Sequence, residues 1–449
     1  MPRSDTDQLI TDADEILQAG LHAVDPYNLI REQITRADDT LKFSAGLTID
    51  LREYSRVFVC GTGKGTAPMA RAMEELLGDK LTGGDIIVKY DHIDQLRTIR
   101  LHEAAHPVPD ENTLRATREM LGNLGQLRQT DLVFVLLTGG GSALMEDLPE
   151  HVSLDDLQTL SRILLESGAN IHEINCVRKH ISRIKGGQLA RYLMPARQIT
   201  LALSDVIGDD LSVIASGPTS PDPSTFDEAW SIIRKYDVAE RLPAPVRDHL
   251  LKGSEGKIQE TPKPGERLFD KVTNLVIGSN RLALSTSELK ARQLGYQTLI
   301  LSSAIEGEAK ELARFIGAIM KETWQADQPV DKPACILLGG EPTVRIRGKG
   351  KGGRNQELCL ALALSQPDFP FVFISCGSDG TDGPTDAAGA RVTHETLRRA
   401  EALGLDGVQL LKNNDSYHFF KPLGDLIMTG PTRTNVMDLI FALIPVTKS

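Results

Sequence analysis

Residues 57–74, "VFVCGTGKGTAPMARAME", decide the fold. An apolar run breaks into a turn around Lys64 and then resumes with helical spacing, and the turn contains Gly61, Gly63 and Gly65. A buried strand that leads through a glycine turn into a helix is typical of parallel α/β sheets. Glycine lets the backbone approach an anion closely, and the start of a helix offers unpaired N–H groups. The turn therefore predicts an anion site to which Lys64 adds a positive charge.

The same alternation of strands and helices continues along the chain. Further apolar runs of strand length are "DIIVKY", "DLVFVLLTGG", "ITLALSDV", "NLVIGS", "QTLILS", "ACILLGG", "FVFISCGSDG" and "DLIMTG". Helix patterns with start signals, such as those at Asp110 and Ser153, lie between them. This order predicts an α/β fold in which each sheet is mostly parallel and is covered by helices.

The length of the chain predicts two domains. A single core stops growing at roughly 250 to 300 residues, and the chain has 449 residues. Residues 252–268, "KGSEGKIQETPKPGERL", are polar and rich in glycine and proline, which predicts a linker. We expect an N-terminal Rossmann-like α/β domain over 1–255, a C-terminal α/β domain over 266–449, and a ligand-binding cleft between them.

The composition excludes several classes of partner. A formal net charge of -11 leaves no positive field for nucleic acid or for an anionic membrane. No apolar run approaches the length of a membrane span or of a signal peptide, so the sequence predicts a cytoplasmic protein. The five cysteines show no CxxC spacing and are expected to be small buried hydrophobic side chains.

A second glycine turn follows the most apolar strand, in "LLTGGGSALMEDLP". Successive glycines before a serine can form a backbone nest for a carboxylate or a phosphate, here Gly139, Gly140, Gly141 and Ser142. A nucleophilic serine is the competing interpretation, but it requires the spacing G-x-S-x-G, which this turn lacks. A glycine turn without a ligand is the other alternative.

A basic helix pattern follows in "NCVRKHISRIKGGQLARYL". Arg178 and Lys185 are seven residues apart, so one helix would present both of them to a ligand from the same face. Lys179 and Arg183 are expected to lie on a solvated face. Asp205 comes just after the strand "ITLAL", where a carboxylate can face a ligand.

The C-terminal half contains a basic, glycine-rich segment, "GGEPTVRIRGKGKGGRNQELCLALAL". In an acidic protein such a cluster predicts a focused site for the phosphates of a nucleotide. A surface loop that merely carries charge is the alternative. The cations of the segment are Arg345, Arg347, Lys349, Lys351 and Arg354.

An acidic turn follows the next strand, in "ISCGSDGTDGPTDAAGARV". Oxygen ligands in such a turn suit Mg²⁺ or another divalent cation, because Mg²⁺ takes one or two protein carboxylates together with phosphate oxygens. Asp379 and Asp382 are the predicted metal ligands, whereas Asp386 is expected only to form the turn.

Together these turns predict phosphoryl transfer, which depends on positioning and on neutralising charge with Lys, Arg and Mg²⁺. A nicotinamide-dependent enzyme is the rival interpretation, since "GTGKGTA" imitates the dinucleotide-binding fingerprint and Asp91 follows the next strand. Lys64 inside the turn argues against that rival. The sequence therefore favours a kinase that acts on a small anionic substrate.

Eight sequence blocks, taken in order, resemble the glycerate 2-kinase family over nearly the whole chain. They are "GTGKGTAPMARAM", "HPVPDENTLRATREML", "LLTGGGSALMEDLP", "NCVRKHISRIKGGQLA", "ALSDVIGDDLSVIASGPTSPD", "GGEPTVRIRGKGKGGRNQELCLALAL", "SCGSDGTDGPTDAAGA" and "NNDSYHFFKPLGDLIMTGPTRTNVMDL". The resemblance implies phosphorylation of D-glycerate at its 2-hydroxyl by ATP, with a divalent metal, to give 2-phosphoglycerate. The expected partners are these small molecules, with neither nucleic acid nor membrane, and a homodimer stays open.

The resemblance also implies roles for particular side chains. Lys64 would be the catalytic cation, and Asp205 the carboxylate near the substrate hydroxyl. Arg354 and Asp379 would act from the C-terminal half. The turn at 139–142 would hold an anion, either the glycerate carboxylate or a nucleotide phosphate. The other matching polar side chains are His106 and Asn435.

Two alternative functions stay open on the sequence. One is a hydroxypyruvate reductase that uses a nicotinamide cofactor, and the other is a noncatalytic sensor of phosphorylated metabolites. The sequence shows no evident acid–base histidine beside a hydride site and no DNA-reading element.

Overall fold

The structure, a computed structural model, describes residues 5–365 and 368–446 and divides into two compact units. The first unit is Pro26–Ile277, and the second unit combines the residues up to Asp25 with those from Gly278 onward. This division differs from the predicted 1–255 and 266–449, because helix α1 (Asp5–Ala23) belongs with the later half and the boundary follows the predicted linker. The cleft predicted between the two halves stays a prediction.

The first unit is built on a six-stranded, mostly parallel sheet with a small antiparallel sheet before it. Its strands are β1 (Ile34–Ala37), β2 (Thr40–Phe43), β3 (Thr48–Asp50), β4 (Arg56–Thr62), β5 (Leu81–Lys89), β6 (Ile99–Ala104), β7 (Asp131–Leu137), β8 (Arg197–Leu203) and β9 (Val272–Gly278). Its helices are α2 (Pro26–Gln33), α3 (Thr66–Leu77), α4 (Glu111–Leu124), α5 (Gly141–Leu144), α6 (Leu154–Glu166), α7 (Ile171–Lys179), α8 (Gln188–Tyr192), α9 (Phe226–Lys235) and α10 (Ala244–Ser254). The small sheet, β1–β2–β3, was not predicted.

The order of strands in the large sheet fixes where a ligand can bind. The order is β6–β5–β4–β7–β8–β9, and every neighbouring pair from β6 to β8 is parallel. After β4 the chain moves outward through β5 and β6, and it then crosses to β7 on the other side of β4. Open α/β sheets bind ligands at such a switch point, beyond the carboxyl ends of the strands. The edge beyond β4 and β7 is therefore the expected place for a site.

The local signals in the sequence fold as predicted around this sheet. Asp110 caps α4 and Ser153 caps α6, each in a reciprocal capping box with the third residue of its helix. All seven residues of β7 are buried, as expected for a central strand that is covered on both faces. The five cysteines are all free and buried, which confirms that prediction.

The predicted linker is partly an ordered part of the first unit. Helix α10 extends to Ser254, so the first residues of the linker are helical. Thr261 is 1% exposed and donates to Oδ2 of Asp222 at 3.0 Å, and the amide of Asp222 donates to the carbonyl of Pro262 at 2.8 Å. The composition predicts a linker because it cannot show these long-range hydrogen bonds.

His180 forms a second attachment between this segment and helix α7. Its Nδ1 lies 2.7 Å from the carbonyl oxygen of Cys176, and its Nε2 lies 3.3 Å from Oε2 of Glu260. A carbonyl and a carboxylate only accept, so both ring nitrogens donate and the ring is charged. Burial alone would lower the pKa of His180, but these hydrogen bonds raise it to about 9.

We expect His180→Gln to reduce the loss in the free energy of unfolding that the wild type shows as the pH rises from neutral to alkaline. The pKa of His180 is raised from 6.5 to about 9 in the folded chain. Its stabilising contribution is therefore fully present below the unfolded value and is lost as the pH rises through the folded value. The free energy of unfolding of the wild type should fall by on the order of 3 kcal/mol across that window, since one pKa unit corresponds to about 1.4 kcal/mol. Urea unfolding at a series of pH values measures the slope.

A matched control for this experiment is His172→Gln, which changes an exposed histidine on the same helix. That variant should keep the wild-type slope. If the wild type and His180→Gln lose the same free energy of unfolding between neutral and alkaline pH, the inference that His180 is charged is wrong.

The second unit contains a mixed sheet. Its strands are β10 (Gln297–Ile305), β11 (Ala334–Gly340), β12 (Val372–Gly377), β13 (Gly389–Thr393), β14 (Leu426–Ile427) and β15 (Asp438–Ile444). Its helices, besides α1, are α11 (Asn280–Gln293), α12 (Ala309–Ala326), α13 (Arg354–Leu364), α14 (Thr396–Ala402), α15 (Gly407–Lys412) and α16 (Ser416–Phe420). The α/β fold class is confirmed for both units.

The expectation of a mostly parallel sheet is wrong for the second unit. The order is β10–β11–β15–β12–β13–β14, and only the β10–β11 pair is parallel within the described residues. The reason is β15, "DLIFALI", which was not counted among the strands. It inserts antiparallel between β11 and β12, and all seven of its residues are buried.

No helix within 5–365 and 368–446 combines the length and the apolar character that crossing a membrane requires.

Candidate functional site

The two predicted glycine turns of the first unit meet at the switch point of the parallel sheet. Thr62 at the end of β4 pairs with Leu137 at the end of β7. Beyond these strands, the amide of Lys64 donates to the carbonyl of Gly139 at 2.9 Å, and the amide of Gly65 donates to Oγ1 of Thr138 at 2.9 Å. The turns that contain Gly61, Gly63, Gly139 and Gly141 are thus joined into one structure.

Asp205 lies at the same edge of this sheet. Strand β8, which precedes it, is the neighbour of β7, and Ala202 pairs with Leu137. Asp205 follows three residues after Ala202 and is half-buried. The register therefore brings Lys64 and Asp205 to one edge, on either side of the turn after β7.

Gly140 lies directly against Lys64. Its φ of 86° is in the left-handed region that favours glycine. A Cβ atom at Gly140 would lie 3.1 Å from Cδ2 of His106 and 3.3 Å from Cγ of Lys64. The imidazole and the lysine side chain therefore both contact this glycine. Burial, together with the positive charge of Lys64, lowers the pKa of His106 to about 4, so the ring is neutral at physiological pH.

We expect Gly140→Ala to lower turnover by at least about tenfold, because it would displace Lys64, the predicted catalytic cation, and a small displacement of such a group is costly. The new Cβ would push against Lys64 and His106, and the left-handed backbone would cost about 1–2 kcal/mol of stability. Steady-state kinetics and thermal unfolding measure the two effects separately.

Gly168→Ala is the matched control for the backbone strain. Gly168 has a φ of 79°, and its surroundings leave open space for a Cβ. Its replacement should cost similar stability and leave turnover unchanged. Equal turnover in the two variants would show that the contact with Lys64 has no role.

Ser142 begins a chain of hydrogen bonds behind this turn. Its Oγ lies 2.7 Å from Oγ of Ser216, and Ser216 donates to Oδ1 of Asn175 at 3.3 Å. Ser216 and the preceding Ala215 have φ values of 61° and 50°, which are strained for residues other than glycine. Strain of this kind persists only where the surrounding structure imposes it, and it is frequent at functional sites.

Arg178 lies one helical turn after Asn175 on α7, so the same face of the helix carries both. Its Nε is buried and has no hydrogen-bond partner among the described residues. Burial lowers the pKa of Arg178, and the charge of Glu146 opposes that shift. A buried guanidinium nitrogen without a partner is suited to a ligand anion.

The predicted helix that would present Arg178 and Lys185 together ends earlier than expected. Helix α7 stops at Lys179, so Lys185 lies beyond it. The Nζ of Lys185 is buried and donates to Glu146 and, at 3.2 Å, to the carbonyl of Met145. The amine is therefore already paired within the protein.

The predicted exposure of Lys179 and Arg183 to solvent is confirmed only for Arg183. Lys179 is 6% exposed and pairs with Asp222 at 3.3 Å, so its expected exposure was wrong. Arg183 keeps a 58% exposed side chain beside Asp147. The spacing alone did not show that the segment leaves the helical path after Lys179.

In the second unit, Arg354 is held at the start of α13 by a buried carboxylate. Its Nε and Nη2 donate to the two oxygens of Asp438 at 2.6 and 3.0 Å, and its Nη1 donates to Glu341 at 3.0 Å. Burial raises the pKa of Asp438 to about 6, and Arg354 opposes this rise. Burial alone would lower the pKa of Arg354, but Asp438 raises it well above its usual value. The guanidinium is thus fixed and charged.

The basic glycine-rich segment is shaped by residues 413–415, "NND". The Oδ1 of Asn414 accepts from the amides of Arg347 and Gly348 at 2.8 and 2.9 Å, and Asp415 accepts from the amide of Lys351 at 2.9 Å. The Nζ of Lys351 lies 4.3 Å from the ring centroid of Tyr417. The segment is therefore an ordered loop, as an anion site requires.

Asp382 does not fit the predicted role of metal ligand. It is 2% exposed, its Oδ1 accepts from the amide and side chain of Asn355, and its Oδ2 accepts from the amide of Gln356. Burial raises the pKa of Asp382, and these hydrogen bonds oppose the rise. Its oxygens are occupied by the first turn of α13, which carries Arg354.

Asp379 fits a metal better than Asp382 does. Its Oδ1 accepts from the amide and hydroxyl of Thr381 at 2.9 Å, and Oδ2 takes no hydrogen bond among the described residues. Within 5–365 and 368–446, no three His, Cys, Asp or Glu side chains form a group that could hold a metal by themselves. Mg²⁺ needs only one or two carboxylates when phosphate oxygens complete its shell, so Asp379 could hold it only together with a nucleotide.

Comparison with known proteins decides the family. The family model described as "Domain of unknown function (DUF4147)" matches residues 12–251, and the model of the MOFRL family matches residues 334–438. A "Glycerate 2-kinase" from Pyrococcus horikoshii is 40% identical over 425 residues, which cover 94% of each chain. The chain belongs to the glycerate 2-kinase family.

Further relatives agree with this glycerate 2-kinase assignment. A "D-glycerate 2-kinase" from Thermotoga maritima is 41% identical and covers 96% of this chain and 97% of its own. A crystal structure of a glycerate kinase from the same organism matches with a TM-score of 0.87 at 41% identity, over 97% of this chain and 99% of that one. A relative from Agrobacterium vitis, 40% identical over 88% of each chain, is named "Putative hydroxypyruvate reductase".

Three buried side chains at the two candidate sites of this member of the glycerate 2-kinase family were not predicted from the sequence. Glu146, Ser216 and Asp438 are each at most 1% exposed. Glu146 could have been suspected, because it is an acid in the apolar context "SALMEDLP" directly after the glycine turn. Ser216 and Asp438 gave no signal of their own, since their partners Ser142 and Arg354 are distant in sequence.

Proposed function

We propose that the protein transfers the γ-phosphoryl group of ATP to the 2-hydroxyl of D-glycerate, giving 2-phosphoglycerate and ADP. The observation that carries this proposal is the joined pair of glycine turns at the switch point, with Lys64 and Asp205 at one sheet edge. The kinase names of the full-length relatives support it.

In the first unit, Lys64 is the cation that neutralises charge on the transferred phosphoryl group. Asp205 orients the 2-hydroxyl and accepts its proton while the oxygen–phosphorus bond forms. The bond from phosphorus to the bridging oxygen of ADP breaks in the same transfer. The neutral ring of His106 packs beside Lys64 without adding a second charge. Arg178 and Ser142 bind an anionic group of the substrate.

In the second unit, the basic loop with Lys351 and the fixed guanidinium of Arg354 bind the phosphates of ATP. Asp379 would hold Mg²⁺ together with those phosphates, and the ion would supply charge neutralisation. Asp382 positions the first turn of α13 and has a structural role in place of metal binding. The proposal includes a cytoplasmic location. Whether the protein forms a homodimer stays open, and size-exclusion chromatography distinguishes a monomer from a dimer.

The experiment incubates the protein with D-glycerate, ATP and Mg²⁺ and then adds enolase without a mutase. Enolase consumes 2-phosphoglycerate directly, so immediate formation of phosphoenolpyruvate is the expected result. A product that enolase accepts only after a phosphoglycerate mutase is added would be the 3-phosphate and would overturn the regiochemistry.

Parallel assays distinguish the two alternatives. Oxidation of NADH with hydroxypyruvate, in the absence of ATP, would support a reductase. Binding of D-glycerate or of 2-phosphoglycerate without release of ADP would support a sensor. We expect neither result.

A further inference from the structure

We infer that Arg178, Glu146 and Lys185 form a carboxylate subsite that accepts a single negative charge. This inference rests on the proposed function and answers a question that the sequence left open, namely which anion the turn at 139–142 holds. The subsite would take the carboxylate of glycerate, not a phosphate.

The first observation is the unpartnered guanidinium nitrogen. The Nε of Arg178 is buried without a hydrogen-bond partner among the described residues. Asn175, one turn earlier on α7, is joined through Ser216 to Ser142. A buried donor without a partner is costly, and a ligand oxygen would satisfy it. The hydroxyl of Ser142, which is linked to Asn175 through Ser216, would offer a further polar contact to the same ligand group.

The second observation is the charge balance of the buried cluster. Glu146 is fully buried; it accepts from Ser182 at 2.5 Å and from Lys185, and its charge acts on Arg178. Two cations and one anion leave one positive charge. Because a buried net charge is unfavourable, the cluster is best matched by one negative charge from the ligand. A carboxylate supplies one charge, and a phosphate at neutral pH supplies between one and two.

The surroundings of Lys64 differ in charge from the cluster of Arg178, Glu146 and Lys185. No Asp or Glu forms an ion pair with Lys64 in the described part of the chain, and the positive charges of Lys64 and Lys89 both act on His106. This cationic group suits a more highly charged phosphoryl group. The two sides of the 139–142 turn are therefore matched to different ends of phosphorylated glycerate.

The positioning role of Glu146 follows from the same contacts. It anchors Lys185 and Ser182 in the core, and its charge attracts Arg178. Glu146 is thus a positioning residue, which acts on the ligand through Arg178 and through the net charge of the cluster.

The test compares two probes in direct binding measurements without ATP. One probe is D-glycerate, and the other is its phosphonate analogue, which carries two charges at alkaline pH in place of one. Isothermal titration of the full chain gives the ratio of their dissociation constants. We expect the wild type to bind D-glycerate at least about tenfold more tightly than the analogue, and Arg178→Gln to weaken D-glycerate binding at least about tenfold.

Charge-altering variants separate the charge balance from a structural effect. Glu146→Gln raises the cluster from one positive charge to two and should shift the ratio toward the phosphonate by at least about tenfold. The double variant Glu146→Gln/Lys185→Met returns the cluster to one positive charge and should restore the wild-type preference. It also removes the unpaired lysine that could prevent Glu146→Gln from folding, so it serves if the single variant is unstable.

The control is Lys179→Met/Asp222→Asn, which removes another buried ion pair next to the same helix. It should leave the ratio unchanged. A ratio that is equal in the wild type, Glu146→Gln and the double variant would overturn the inference, as would unchanged D-glycerate binding in Arg178→Gln. If the ratio responds as expected but no phosphoryl transfer occurs, the proposed function fails and the subsite stands.

Discussion

Replacing Lys64 by methionine is expected to lower turnover by about two to three orders of magnitude, the usual effect of removing one preorganised electrostatic group. The reason is that Lys64 is the cation at the switch point of the sheet, beside Gly140 and His106. Methionine keeps the backbone amide that donates to Gly139, so the joined turns should survive. The side chain forms no ion pair among the described residues, and the melting temperature should therefore change little.

The measurement is steady-state kinetics with the enolase-coupled assay, together with thermal unfolding of each variant. Lys80→Met is the control, because Lys80 pairs with Asp39 at the surface of the same unit, away from the carboxyl edge. It should leave turnover within about twofold of the wild type, as is usual for a surface pair. Turnover by Lys64→Met close to that of the wild type would remove Lys64 from the mechanism.

Much of the first unit could be predicted because its signals are local. The strand, the glycine turn and the following helix are contiguous in residues 57–74, and the caps at Asp110 and Ser153 lie within a few residues of the helices they begin. Parallel pairing then brings the ends of β4, β7 and β8 to one edge without further information. The sequence could therefore indicate both the site and its charge.

The errors concern contacts between distant parts of the chain. Lys185 was placed on the helix of Arg178 by spacing, but its true partner, Glu146, is 39 residues away. The acidic turn predicts a metal ligand at Asp382, whereas the hydrogen-bond partners of Asp382 lie 26 and 27 residues earlier, in α13. Polar residues of these kinds serve ligands and structure equally well, and only the tertiary contact distinguishes the two uses.

The second sheet shows that the partners of an apolar strand are equally hard to predict from the sequence. The run "DLIFALI" has the composition of a buried strand, but composition does not state its direction or its neighbours. Its insertion between β11 and β12 places Asp438 beside Arg354, which is 84 residues earlier. The position of the guanidinium is thus set by the strand that the sequence did not reveal.

Replacing Asp438 by asparagine is expected to raise the KM for ATP at least about tenfold and to destabilise the second unit by about 3 kcal/mol. Asp438 is fully buried and accepts two hydrogen bonds from Arg354. An asparagine would keep one acceptor and turn an amide group toward the other guanidinium donor. Arg354 would therefore lose its fixed position at the start of α13.

The pH dependence provides a second, sharper measurement of the same pair. The pKa of Asp438 is about 6, raised by burial against the opposing effect of Arg354. As the pH falls through that value, the carboxylate takes up a proton and releases Arg354, so the KM for ATP of the wild type should rise. The asparagine variant should show a high KM without this acid limb. Glu341→Gln, which removes only the half-exposed partner of Arg354, should have a smaller effect. If Asp438→Asn keeps the wild-type KM and its pH profile, Arg354 does not bind ATP, and the nucleotide contacts must be assigned to the glycine-rich loop alone.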